Sequence, residues 1–157
     1  MKAGIALGSN LGESKRVLAQ AIEELKKIHT GAASSFLVSS FHETDPVDCP
    51  PHSPRFLNAV VQLETELSPN ALIKILQRIE LDSGRPARHS LNAPRTLDLD
   101  LLYCDTITLS TPQLILPHPR MFERLFVLAP LAEIAPELIL PGKNQTVFEH
   151  LCFLRTN

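Results

Sequence analysis

Apolar and polar residues alternate from position 2 to position 8, with Ile5 and Leu7 on one side and Gly4, Ala6 and Gly8 on the other. A period of two is that of a strand, here with one bulky face and one bare one. The period lengthens over residues 14–29, where Leu18, Ala21, Ile22, Leu25 and Ile28 form a helical stripe. Residues 34–41, rich in Ser, Phe and Val, predict a second strand. The proline-dense run from Asp45-Pro46 to Ser53-Pro54 predicts a loop. Phe56 to Thr65 alternates again, with Leu57, Ala59, Val61 and Leu63 opposite Asn58, Val60, Gln62 and Glu64. Ser68-Pro69 supplies an N-cap and a proline at the first helical position. The helix it opens runs to about Ser83 on a stripe of Leu72, Ile75, Leu76 and Ile79, with Gly84 as its stop. A second long loop is predicted over 85–96 and a strand over Leu97–Leu102. Beyond them lie a small hairpin (106–116), a Pro117-His118-Pro119 turn and short helices.

The main order is β-α-β-β-α-β. It predicts an α+β fold with the ferredoxin-like split arrangement: one antiparallel sheet, both helices on one face, and a C-terminal hairpin and short helices appended. At 157 residues, 44 % of them apolar, the chain is expected to be a single domain over 1–157 with room for a real core. A formal charge of −2 excludes bulk electrostatic recruitment to nucleic acid or an anionic membrane, so any anion binding is local. Cys49, Cys104 and Cys152 are far apart and odd in number, with no CxxC pair, which argues against a disulfide framework or zinc knuckle. The apolar stretch after Met1 is too short for a signal peptide or a membrane span. A cytoplasmic protein with reduced thiols is the expectation.

The sharpest local feature is Pro94-Arg95-Thr96-Leu97-Asp98-Leu99-Asp100. Residues two apart in a strand share a face, so Asp98 and Asp100 project together, roughly 6–7 Å apart at the backbone. Leu97, Leu99 and Leu101 point oppositely, into the helix-covered core. No lysine or arginine lies between the two carboxylates. A hard divalent cation would neutralise them, and magnesium takes a few carboxylate oxygens plus phosphates and waters. The same pair also fits the exposed face of an amphipathic strand. Arg85, Arg88 and Arg95 upstream, with His118, Arg120 and Arg124 downstream, favour polyphosphate, which arginine binds in bidentate fashion. Ion pairs within the protein remain the alternative. The chain has no GxxxxGK[ST] loop, and Gly8-Ser9-Asn10-Leu11-Gly12 is not a dinucleotide fingerprint.

In the usual ferredoxin-like order the first strand lies between the third and fourth. Its bare face would then separate Asn58 from Asp98 and Asp100. The result is a shallow trough floored by small residues, with an amide on one side and metal ligands on the other. A flat heterocycle fits such a trough, held at its edge by Asn58, with Phe56 and Phe126 placed to sandwich it.

Over nearly the whole chain these stretches resemble the hydroxymethyl-dihydropterin pyrophosphokinase family. The resemblance rests on Leu7-Gly8-Ser9-Asn10-Leu11-Gly12, Phe56-Leu57-Asn58-Ala59, the Pro94–Asp100 segment, Pro117-His118-Pro119-Arg120-Met121 and Glu133-Ile134-Ala135-Pro136-Glu137-Leu138. It implies that a pterin hydroxymethyl oxygen attacks the β-phosphorus of ATP and releases AMP, in folate biosynthesis. By motif position, Asp98 and Asp100 resemble the ligands of two magnesium ions, with Arg85 and Arg95 beside them as catalytic cations. Asn58 resembles the residue that reads the pterin edge, helped by backbone contacts from Thr44 and Val47. Phe126 and Phe56 match its stacking aromatics. Gln77, Glu80 and Leu101 fall where the family contacts the nucleotide. Arg85, Arg95, His118 and Arg124 fall where it binds phosphates or ribose.

Several positions depart from the family pattern. Asn92 stands where the best-known members have tryptophan, Ala87 where they have a loop arginine, and Gln113 where they have a nucleotide-side arginine. Arg88, one place after Ala87, is the candidate substitute. Altered rates or ATP affinity are expected from these changes, not a different reaction. With no strong base implied, catalysis would rest on positioning and charge neutralisation, with loops 42–55 and 85–96 closing over the site. The resemblance leans to a monomer acting on small molecules, without nucleic acid or membrane partners. A non-catalytic ferredoxin-like binding module and another metal-dependent phosphotransferase are the competing classes. Nucleotide products separate the three.

Overall fold

The computed structural model describes residues 1–10, 13–44, 55–83 and 97–156 of the 157-residue chain. Its main sheet is built on β1 (Lys2–Ser9), which pairs antiparallel with β4 (Phe56–Glu64) on one side and β5 (Asp98–Cys104) on the other. Two short strands, β2 (Leu37–Val38) and β3 (His42–Thr44), both pair with β4. The sheet order is β2-β4-β1-β5, with β3 also on β4. A separate pair is made by β6 (Leu109–Ser110) and β7 (Ile115–Leu116).

Helices α1 (Ser14–Lys26) and α2 (Pro69–Asp82) lie on one face of the sheet. Leu18 and Leu25 from α1 and Leu72 and Leu76 from α2 are buried against Ile5, Leu7, Val61, Leu63, Leu99 and Leu101. The alternation read from the sequence therefore sorts the strand residues as expected. At α2 the Ser68 hydroxyl accepts from the Ala71 N–H at 3.2 Å, with Pro69 behind it, so the predicted cap is formed.

The strand expected over 34–41 is corrected. Ser35 donates its hydroxyl to the Ala32 carbonyl and closes a 3-10 turn over Ala33–Ser35. Further on, Val60 N–H donates to the Ser39 hydroxyl, not to a strand carbonyl. Serine hydroxyls compete with the ladder for backbone partners, and only β2 of the expected strand forms, while β3 lies beyond it, in the first residues of the stretch expected as the 42–55 loop.

The second face of the sheet holds what the sequence pattern showed least. Helices α3 (Leu125–Ile134) and α4 (Val147–Thr156) cover part of it. Val60, Leu102 and Tyr103 are buried there with Met121, Val127, Leu128, Leu131, Leu140, Val147 and Leu151. The β1–β5 register shifts between Gly4 and Ile5, which sets Tyr103 opposite Gly4. A methyl at Gly4 would lie 2.3 Å from Tyr103 Cε1. Tyr103 thus lies across β1, and its hydroxyl donates to Gln62 Oε1 on β4 at 2.6 Å. This second core covers the Gly4–Gln62–Tyr103 end of the strands. No helix among the described residues is long and apolar enough to cross a membrane.

Candidate active site

Across the open end of that same face, strand register sets the side chains in rows. Gly8 pairs with Asn58 on β4 and with Asp98 on β5, and His42 on β3 continues the row beyond Asn58. The next same-face row joins Val60, Ala6 and Asp100. Thr44 pairs with Phe56 on the other side of the Asn58 row. With strands about 4.8 Å apart, Asn58 and Asp98 stand roughly 10 Å apart at the backbone with only Gly8 between them.

A cavity of about 370 Å³ occupies this trough. Ala6, Leu7 and Gly8 line it from β1, Thr44, Phe56 and Asn58 from one side, and Asp98 and Asp100 from the other, with Arg124, Leu125 and Phe126 bordering it too. Gly8 matters for its missing methyl: a Cβ there would lie 3.3 Å from Asn58 Oδ1, tighter than an ordinary contact. Asn58 is buried, and its amide Nδ2 donates to Thr44 Oγ1 at 2.8 Å. The amide is thereby oriented with its carbonyl side toward Gly8. Phe126, in the first turn of α3, keeps 37 % of its surface exposed, unusual for a phenylalanine beside a core. The Arg124 guanidinium lies against its ring, 5.5 Å from the centroid.

Asp100 also borders a second cavity, of about 300 Å³, with Leu101, Gln113, Ile115, His118 and Pro119 among its lining. The Pro117–Pro119 turn is held there by His118 N–H, which donates to the Leu102 carbonyl at 2.8 Å. His118 Nδ1 accepts from Arg120 N–H at 3.2 Å, which leaves Nε2 to carry the proton in the neutral ring. Burial holds this imidazole below its usual pKa. Asp100 pulls it upward, and Arg124 and Arg120 add to the lowering. At neutral pH His118 is therefore an uncharged donor, suited to an anionic oxygen.

Thr44, Phe56, Asn58, Asp98, Asp100, Arg124 and Phe126 thus border one cavity, while Leu101 and His118 border the one that adjoins it. Gln77 is exposed on α2 and lines neither. Glu80, on the same helix, lines neither cavity. It is buried, and its Oε2 accepts from Leu99 N–H on β5 at 2.9 Å, which secures the strand carrying both aspartates. Val47, Arg85, Arg88 and Arg95, with Ala87 and Asn92, lie outside the described residues. Leu7 and Leu125 also line the cavity with no sequence signal to mark them, whereas Ala6 and Gly8 belong to the bare face of β1 that predicts the trough floor.

Residues 4–136 match the family model described as 7,8-dihydro-6-hydroxymethylpterin-pyrophosphokinase. A Bacillus subtilis protein named 2-amino-4-hydroxy-6-hydroxymethyldihydropteridine pyrophosphokinase is 47 % identical over 135 residues, 85 % of this chain and 78 % of that one. The Pseudomonas aeruginosa protein of the same name is 42 % identical over 137 residues, 87 % of this chain and 82 % of its own. Among solved structures, Plasmodium falciparum HPPK-DHPS with pteroate superposes with a TM-score of 0.74 at 14 % identity. That match covers 97 % of this chain and 42 % of the larger one, and at such identity it speaks to the fold alone.

Proposed function

From the premise that the chain belongs to the 7,8-dihydro-6-hydroxymethylpterin-pyrophosphokinase family, we propose which of its residues carry the family's reaction and how. The protein is an enzyme that transfers pyrophosphate from ATP to hydroxymethyldihydropterin, a step of folate synthesis. One observation carries the assignment of residues: Asp100 borders both cavities, so a group held in one meets a group held in the other at the carboxylate pair.

The trough between Asn58 and Asp98 takes the pterin. Its floor admits a flat ring, Asn58 and Thr44 read its polar edge, and Phe56 and Phe126 flank its faces. The cavity beside Leu101 and His118 takes the polyphosphate end of ATP, with His118 and Arg124 donating to phosphate oxygens. Gln77, exposed on α2, is assigned to the outer part of the nucleotide, and Glu80 to the support of β5 beside it. Arg85, Arg88, Arg95 and Val47 keep the roles that the motif positions imply.

Asp98 and Asp100 fit magnesium by donor chemistry, being hard carboxylate oxygens on one strand face with phosphates and water to complete the shell. Two ions are proposed, which when bound polarise the transferred group and neutralise its charge. The chain's own part is to align acceptor oxygen and phosphorus, to hold the Phe126 ring over the pterin, and to meet phosphate charge with Arg124 and neutral His118.

The sheet order β4-β1-β5, with α1 and α2 on one face, supports the ferredoxin-like βαββαβ reading, with the β6–β7 pair as its appended hairpin. A single domain and a monomer that acts on small molecules without nucleic acid complete the proposal. The test is nucleotide product analysis with ATP, magnesium and reduced hydroxymethylpterin. AMP that forms only when pterin and magnesium are both present is the expected result. Phosphate release without pterin would instead favour a phosphatase.

A further inference from the structure

Outside the cavities, one cluster of side chains joins two elements that both border the trough. Both Glu133 carboxylate oxygens accept from the Ser40 hydroxyl, at 2.8 and 2.9 Å, and Oε2 also accepts from Ser40 N–H at 3.2 Å. The His42 ring bonds Glu133 Oε1 through Nε2, which also lies 3.3 Å from Ser40 Oγ. Three donors, from β3 and the chain that leads into it, thus converge on one carboxylate in the last turn of α3.

Each partner of this cluster needs the other. β3 has only three residues and ladder bonds to β4 alone, too little to fix its position unaided. It nevertheless carries Thr44, the acceptor that orients the Asn58 amide. α3 has no side-chain cap at its N-terminus, where Phe126 stands over the trough. Phe126 and Glu133 are seven residues apart, just under two helical turns, and therefore share one face of α3 about 10 Å apart along its axis. That face borders the trough at one end and grips β3 at the other.

We propose that Ser40, His42 and Glu133 are positioning residues that fix the gap between Phe126 and the Thr44–Asn58 edge, and so the fit of the trough to a flat ring. The identity of that ring rests on the function proposed above. The Glu133 side chain is 37 % exposed and that of His42 30 %, so the cluster adds little to global stability. Its effect belongs on the affinity of one substrate and not the other.

The experiment compares Glu133→Ala, Glu133→Gln, Ser40→Ala and His42→Ala with the unaltered enzyme. Calorimetry measures binding of reduced hydroxymethylpterin, and separately of a non-hydrolysable ATP analogue with magnesium. Steady-state kinetics supply kcat and KM. Glu133→Ala is expected to weaken pterin binding about tenfold, with nucleotide affinity and kcat at saturating pterin changed less than about threefold. Glu133→Gln keeps an acceptor for Ser40 and should recover part of the loss. The His42→Ala effect should largely vanish in the Glu133→Ala background. Unchanged pterin affinity in folded Glu133→Ala overturns the proposal, as does an equal fall in both affinities. If Glu133→Ala does not fold, Ser40→Ala takes its place and must weaken pterin binding selectively. Unaltered enzyme that binds no pterin would overturn the function reading itself, a different failure from a variant that binds as well as its parent.

Discussion

Asp98 and Asp100 share a strand face and a cavity, yet only Asp100 borders both cavities. Asp98→Asn and Asp100→Asn each remove an anionic oxygen from the proposed metal clamp while keeping shape. Turnover should fall by roughly 10²–10³-fold or more in either, with the fold retained; near-normal AMP production by either variant would remove it from the clamp. Asn58→Ala should act on binding instead, raising the pterin KM while leaving that of ATP alone, since its amide faces the trough edge and not Asp100. Glu133 gives a pH-dependent readout. Burial works to raise its pKa, but hydrogen bonds from His42 and Ser40 and the charge of His42 outweigh it and hold the carboxyl below its ordinary 4.5. A depressed folded-state value means a contribution that is complete above the unfolded value and lost as pH falls through the folded one. The small gap in melting temperature between the unaltered protein and Glu133→Gln should therefore hold steady above the ordinary value of 4.5 and narrow as pH falls below it, and a gap that widens on acidification would contradict this sign. The thiols differ as well. Cys104 is buried and pushed up to about 11, first by burial and then by Asp105, whereas Cys152 is exposed. Peptide mapping after brief alkylation should find Cys152 modified in the native protein and Cys104 modified only after unfolding.

At the scale of elements, the sequence was readable where one periodicity ran unbroken. β1, β4 and α2 have clean patterns, and the core sides assigned from Ile5, Leu7, Val61, Leu63, Leu72 and Leu76 are those the structure buries. Legibility failed where a side chain overrode the pattern. Ser39 takes a backbone N–H that a ladder carbonyl would otherwise accept, and nothing in the alternation of 34–41 marks this. The register shift opposite Gly4 likewise leaves no trace in β5, whose leucines read as a regular strand. The sequence marks α3 only as one of several short helices, because it is apolar around much of its circumference and carries Pro130 within it. A helix without a polar face does not announce which surface it covers. Ser40 and His42 lie 93 and 91 residues from Glu133 along the chain, beyond the reach of any local rule.

For the whole molecule, the site was more legible than the second core. The trough could be read from a bare strand face, one amide and two aspartates because antiparallel pairing converts those separations into a single row. Its cover at the opposite end could not, since burial of Tyr103 beneath α3 and α4 depends on how distant segments pack. The same three strands thus serve as core at one end and as the candidate site at the other, with the changeover at Ala6, which packs beside the second core and also lines the cavity. This division sets two different rules of tolerance along one strand. At Gly4 an added methyl meets the Tyr103 ring, and Gly4→Ala should destabilise by about 1–3 kcal/mol while any folded enzyme still turns over. At Gly8 an added methyl presses on the Asn58 carbonyl, and Gly8→Ala should fold nearly normally but bind pterin poorly. A saturation library of β1, sorted once for abundance and once for folate-dependent growth, should yield two profiles that agree before Ala6 and part company after it. Evolution would then explore the two halves of β1 at different speeds, the first answering to volume and the second to chemistry.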